Sequence, residues 1–249
     1  GSWLAIVWPF SIYFFVFNKK RSKKLIMMTI CLLLIVSLLL TNSRNSWIGM
    51  FFSIQIIFGF ETMSIIIPLL ILLFLTLTLL ISLIPSSIKD FLVTFLPINI
   101  FNNFPDTSLS FNEAYPRLEI WSLSVENILK RPLLGWGGGS FPIVYETHKG
   151  KWIGHSHNII LEIAFSYGLL TAVIISSKVF QYLYKFYKSI KYYTNSKIKS
   201  SNHNLVFEKA WFSSILFITY SHLFDVQYFD LRISTISWIL LSGLKAAMI

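Results

Sequence analysis

Hydrophobic residues in this sequence come in unbroken runs rather than in alternation: 3–17, 25–41, 46–60, 64–84, 158–178, 209–224 and 231–248 are nearly free of charge. A helix needs about 20 mostly apolar residues, with a range of about 17–25, to cross a hydrocarbon core about 30 Å thick. Each run therefore reads as a membrane span, the first and third being short. The polar segments between them are brief except for 85–157, and connections of that length are usually functional or separately folded.

Composition and charge sharpen this picture. The 249 residues are 55% hydrophobic and 13% charged, with a mean hydropathy of +0.65, whereas a soluble domain carries about 25% charged residues. The net charge of +10 is unevenly placed: Lys19, Lys20, Arg21, Lys23 and Lys24 fill one short connection, and 178–209 holds seven lysines against Glu208. Connections rich in Lys and Arg stay cytoplasmic. One crossing back from the second of these puts 85–157 outside. Counting forward from the first puts it outside only if 46–84 crosses twice, so seven spans satisfy both counts. The excess charge is thus a topology signal and not a nucleic-acid footprint. Cys31 is the only cysteine, which excludes an intrachain disulfide. The expected fold is all-α, a polytopic transmembrane bundle forming one membrane domain over 1–249. The chain opens Gly1-Ser2 and enters an apolar run at once, without the charged n-region or cleavage site of a signal peptide, so further helices are expected upstream.

Chemistry is expected in the outer loop. From Glu113 to Arg131, apolar Leu118, Trp121, Val125, Ile128 and Leu129 recur at helical spacing and Pro132 follows, which predicts an amphipathic helix on the membrane surface or capping the bundle. Arg117 falls in its first turn, free to act on a ligand or to pair with Glu113 or Glu119. The glycines of "PLLGWGGGSF" suit a phosphate nest or a plain turn, and they match neither phosphate-loop fingerprint. His155 and His157 then precede Asn158, a candidate cap for the helix from Ile159. The loop lacks further ligands at metal spacing, so no metal is expected. A histidine at the outer boundary suits proton transfer near neutral pH, or a structural hydrogen bond at the interface. The crossing count puts Arg44, in "TNSR" at the end of the second span, on the same face, where an arginine can also snorkel to headgroups. Glu162 lies one turn inside a span, where an acid faces a cavity or a cationic partner. Asp225 and Asp230, between the last two spans, are read as solvated.

In their order and common sidedness, "TNSR" at a span end, "RLEIW...NILKRPLLGWGGGSF" in the outer loop and "HSHNIILEIAFSYGLL" opening the next span resemble the O-antigen ligase and O-antigen polymerase family of bacterial inner-membrane glycosyltransferases. The likeness runs from about Leu25 to Leu170 and implies that the chain is the C-terminal part of a longer protein. It also implies transfer of a glycan from an undecaprenyl pyrophosphate carrier at the periplasmic face, without a cofactor. The acceptor is lipid A core, another lipid-linked glycan or a protein hydroxyl. By the same resemblance Arg44 and Arg117 hold the pyrophosphate and His157 acts on the acceptor hydroxyl. The resemblance gives His155 no role; by position His155, Asn158 and Glu162 are supporting candidates.

Elementary chemistry is compatible with that set. A pyrophosphate leaving group needs cations, and the guanidinium fork fits phosphate oxygens. With so good a leaving group, the remaining task is to take a proton from the attacking hydroxyl, and a neutral histidine can do so. One displacement inverts the anomeric centre. The rival class is a polysaccharide transporter or flippase, which would place polar groups within several spans and show paired symmetric halves. Here the spans are largely clean.

Overall fold

The computed structural model describes residues 1–41, 43–59, 61, 64–65, 68–69, 72, 76, 116–195 and 202–246. Among these the chain is helical and contains no strand. It falls into two compact units, 1–104 and 105–249. The expected fourth span, 64–84, and the loop from 85 to 115 lie largely outside the described residues.

The first unit holds α1 (Ser2–Phe17), α2 (Arg21–Leu40) and α3 (Arg44–Phe58). They follow the first three apolar runs closely. Side-chain donors on apolar helices find backbone acceptors across the packing: Trp8 Nε1 donates to Met50 O at 3.2 Å and Trp47 Nε1 to Leu38 O at 2.8 Å. Among the described residues α2 is the one helix long and apolar enough to cross a membrane. Only Leu38 of its residues is buried, while Leu32, Leu33, Val36, Leu39 and Leu40 all face outward. An apolar surface of that extent is unfavourable in water and natural against lipid.

The second unit contains α4 (Pro116–Lys130), α5 (Phe141–Lys149), α6 (Ile159–Tyr167), α7 (Leu169–Asn195), α8 (Asn202–Ser221), a 3₁₀ turn (Gln227–Phe229) and α9 (Leu231–Ala246). The predicted loop helix is α4. It buries Ile120, Leu123 and Ile128 against Phe141 and Tyr145 of α5 and Ala164 and Phe165 of α6. Phe165 is fully buried, edge-on to Phe141 with ring centroids 5.2 Å apart and stacked on Trp136 at 6.1 Å. Its opposite side leaves Leu118, Val125 and Leu129 exposed.

The run 158–178, expected as one span, is broken at Gly168. The cause is the segment "PLLGWG", which docks its backbone onto the break: Trp136 N–H donates to Phe165 O at 2.8 Å, Gly137 N–H to Ser166 O at 3.0 Å and Leu169 N–H to Pro132 O at 2.8 Å. Those bonds satisfy the last carbonyls of α6 and the first amide of α7, groups that a helix end leaves without intrahelical partners. Gly168 has φ +88°, and a Cβ there would fall 2.0 Å from Leu133 O. Only glycine fits. The glycine run is therefore a docking turn in which the amides of Gly135, Trp136 and Gly137 are already used within the chain. The lysine-rich connection after the break is helical up to Asn195.

Candidate active site

At the entry to α6 the sequence "HSHN" makes a tight, fully bonded turn. Asn158 is extended (φ −153°, ψ 120°) and its side-chain oxygen accepts from Ile160 N–H at 2.9 Å and Leu161 N–H at 3.1 Å, the cap that asparagine favours. Its amide also donates to Leu223 O at 3.1 Å, and Ile159 N–H donates to His222 O at 2.9 Å, so the end of α8 grips the start of α6. Glu162, 5% exposed, accepts the Ser156 N–H at 2.8 Å. Its partner is thus a backbone amide of the turn.

Between these anchors His157 takes φ +53°, the one non-glycine positive φ among the described residues. Such backbone costs about 1–2 kcal/mol and persists where surrounding bonds fix it. Here they do: His157 N–H donates to His155 Nδ1 at 3.2 Å, and His157 Nδ1 meets Asp225 Oδ1 at 3.2 Å. The two imidazoles meet edge to face, centroids 4.3 Å apart, and His155 also stacks on Phe229. Asp225 is held in turn by the backbone at the end of α8, its N–H donating to Ser221 O at 3.0 Å.

This geometry corrects the sequence reading of Asp225. The carboxylate is half-buried rather than solvated, and its hydrogen bond to His157 holds its pKa below the usual carboxylate range. An ionised carboxylate only accepts, so the proton shared with it belongs to His157 Nδ1 and the lone pair of that ring lies on Nε2. A neutral histidine with its Nδ1–H on a carboxylate can serve as a general base through Nε2. The signal available in the sequence was sidedness: the crossing count that placed His157 outside also placed Asp225 there.

His155, His157 and Asp225 are also the group that could hold a metal ion among the described residues, their ligand atoms lying within 4.8 Å of one another. His155 Nε2 is 3.8 Å from the carboxylate oxygen, wider than the separation of about 3.3 Å between two ligands on tetrahedral zinc. The atoms stand as a hydrogen-bonded pair with a neighbour rather than a closed coordination shell.

The structure thus brings together His155, His157, Asn158 and Glu162, and adds Asp225. Arg117 rides on α4, which packs on the same core as α6. Its side chain is exposed, and no hydrogen bond or ion pair joins it to the histidines among the described residues. Of its two expected partners, Glu119 is taken by Lys149 at 2.7 Å and Glu113 lies outside the described residues. Arg44 is exposed at the first turn of α3, in the other unit.

What fold and site define together is a protein, helical over its described residues, in which a carboxylate-bonded histidine immediately precedes the capped entrance of a short apolar helix. Residues 29–176 match the family model described as O-antigen ligase, and the chain belongs to that family. It is also similar to the ComP-specific O-oligosaccharyltransferase of Acinetobacter baylyi, 30% identical over 81 residues, which are 30% of this chain and 15% of that protein. The chain therefore matches only a small part of the length of this curated relative.

Proposed function

We propose that the chain carries the acceptor-activating site of a multi-pass glycosyltransferase of the bacterial inner membrane, acting at the periplasmic face. The reaction moves a poly- or oligosaccharide from undecaprenyl pyrophosphate to an acceptor hydroxyl. The observation that carries this reading is the 3.2 Å bond between His157 Nδ1 and Asp225 Oδ1. It leaves His157 Nε2 to take the hydroxyl proton as the oxygen attacks the anomeric carbon. The bond from that carbon to the pyrophosphate oxygen breaks, and its electron pair leaves with the lipid pyrophosphate, whose charge Arg44 and Arg117 offset. The configuration inverts, and no metal is required where the two guanidinium groups supply the cations that the leaving group needs.

The acceptor is the hydroxyl of lipid A core or of another lipid-linked glycan, as in a ligase or polymerase. Similarity to a protein named as an O-oligosaccharyltransferase supports a protein hydroxyl as the second reading. The test is glycan transfer from a lipid pyrophosphate donor in membranes carrying the full-length protein. His157→Ala is expected to lower turnover by about 10²–10⁴-fold, the range of general base catalysis. Arg44→Ala and Arg117→Ala should weaken donor use, and EDTA should leave the rate unchanged. Near wild-type turnover in His157→Ala would remove the base from this scheme.

A further inference from the structure

His155 is left over by this mechanism, yet it is as firmly built in as His157. Its Nδ1 accepts the His157 N–H at 3.2 Å. That bond closes the turn at the one described non-glycine residue with positive φ. Its ring lies against the His157 ring on one side and Phe229 on another. We propose that His155 is a positioning residue: its Nδ1 lone pair fixes the left-handed backbone of His157 and so aims that ring between Asp225 and the acceptor hydroxyl. The inference rests on His157 being the base.

The arrangement has a requirement. An imidazole nitrogen that accepts an N–H bond carries no proton, so a neutral His155 has its hydrogen on Nε2, the atom 3.8 Å from Asp225 Oδ1. Protonation would place a hydrogen on Nδ1 and break the turn. It would also set a second cation beside His157 at the moment that ring takes up its proton. The titratable groups facing His155 are His157 and Asp225, and the environment keeps it neutral: burial, followed by the nearness of His157, pushes its pKa down against the opposing pull of Asp225. The bond from a side chain to the amide two residues on is the geometry that asparagine makes in an Asx turn. Asparagine at 155 can therefore reproduce the Nδ1 acceptor and not the Nε2 donor, whereas glutamine reaches toward the Nε2 position instead.

The experiment compares His155→Ala, His155→Asn and His155→Gln in the full-length protein in membranes, with saturating lipid pyrophosphate donor and varied acceptor, and carries His157→Ala as control. His155→Ala is expected to lower kcat by up to about 100-fold, as a base misplaced by about 1 Å does, with little change in the acceptor KM. His155→Asn should recover to within about threefold of wild type, and His155→Gln should not. The pH profile gives a second readout. The acid limb of log(kcat/KM) in wild type should steepen from a slope of one toward two as His155 also protonates, whereas in His155→Asn it should stay at one. Recovery by glutamine but not asparagine, near wild-type kcat in all three variants, or an asparagine variant that keeps the steep limb would each overturn the inference. Full turnover in His157→Ala would instead overturn the base assignment beneath it, so the two failures are distinct.

Discussion

Helices α2 and α6 are both apolar, and they are held in place by opposite means. The 20 residues of α2 have one buried side chain and no side-chain cap, so its helical state follows from length and composition in an apolar solvent. The nine residues of α6 are too few to cross a bilayer. They are fixed at both ends by polar bonds: Asn158, Glu162 and the His222 carbonyl at the start, and the "PLLGWG" amides at the finish. A helix that only spans can be specified by its own sequence. One that must present a side chain at a fixed angle needs neighbours to hold it, and the catalytic candidate sits on the latter kind.

That contrast can be broken most severely at the α6–α7 break. Gly168→Ala forces a Cβ into Leu133 O at a positive φ, and should cost on the order of 4 kcal/mol or prevent folding, measured as loss of the folded fraction in detergent. Phe165→Ala, which empties the core beneath the site, should cost about 3–5 kcal/mol in thermal unfolding. Asp225→Asn tests orientation without removing volume. Its amide can donate to Nδ1 and so favour the wrong tautomer of His157, which should lower turnover by up to about 10⁴-fold while the unfolding midpoint moves little. Glu162→Ala strands the Ser156 amide and should cost about 1–3 kcal/mol, with Glu162→Gln recovering most of it. On α2, Leu33→Ala should change stability by no more than about 0.5 kcal/mol, because its side chain faces outward; a loss comparable to that of Phe165→Ala would end the comparison.

Acid should affect the two helices unequally as well. His155 and Asp225 both have folded pKa values below their unfolded ones. A group of that kind contributes stability that is present above its unfolded value and is lost as pH falls through its folded value. For His155 the loss begins near 6.5 and for Asp225 near 3.8, each continuing downward to its lowered folded value. Protection of the α6 entry against hydrogen exchange, taken relative to the intrinsic amide rate at each pH, should therefore fall as pH drops below about 6. Protection in α2, taken in the same way, should stay constant, since its apolar stretch Leu25–Leu40 has no ionisable group other than Cys31.

Much of this could be read from the chain without coordinates. The apolar runs correspond to α1, α2, α3 and α9 within about four residues, since burial or lipid contact of a whole helix surface leaves a continuous signature, while α8 starts at Asn202, ahead of its run at 209. The cap at Asn158 and the helix after Glu113 were legible for the same reason: they depend on residues close in sequence. Asp225 was not. It is 68 residues from His157, and a free aspartate in a turn looks the same as a bonded one until the chain is folded. Nor was the break at Gly168, where the hydropathy of 158–178 continues smoothly while a distant backbone segment takes over the hydrogen bonds.

By itself, then, the sequence determined the helical class, the apolar runs, the helix entry at "HN" and the family resemblance, because local propensity and solvent preference act residue by residue. Tertiary structure alone decided that Asp225 orients His157, that His155 holds the His157 backbone in its left-handed turn, and that α6 ends at Gly168. Each of those depends on a hydrogen bond or a steric limit that exists only when particular atoms are brought within about 3 Å of one another.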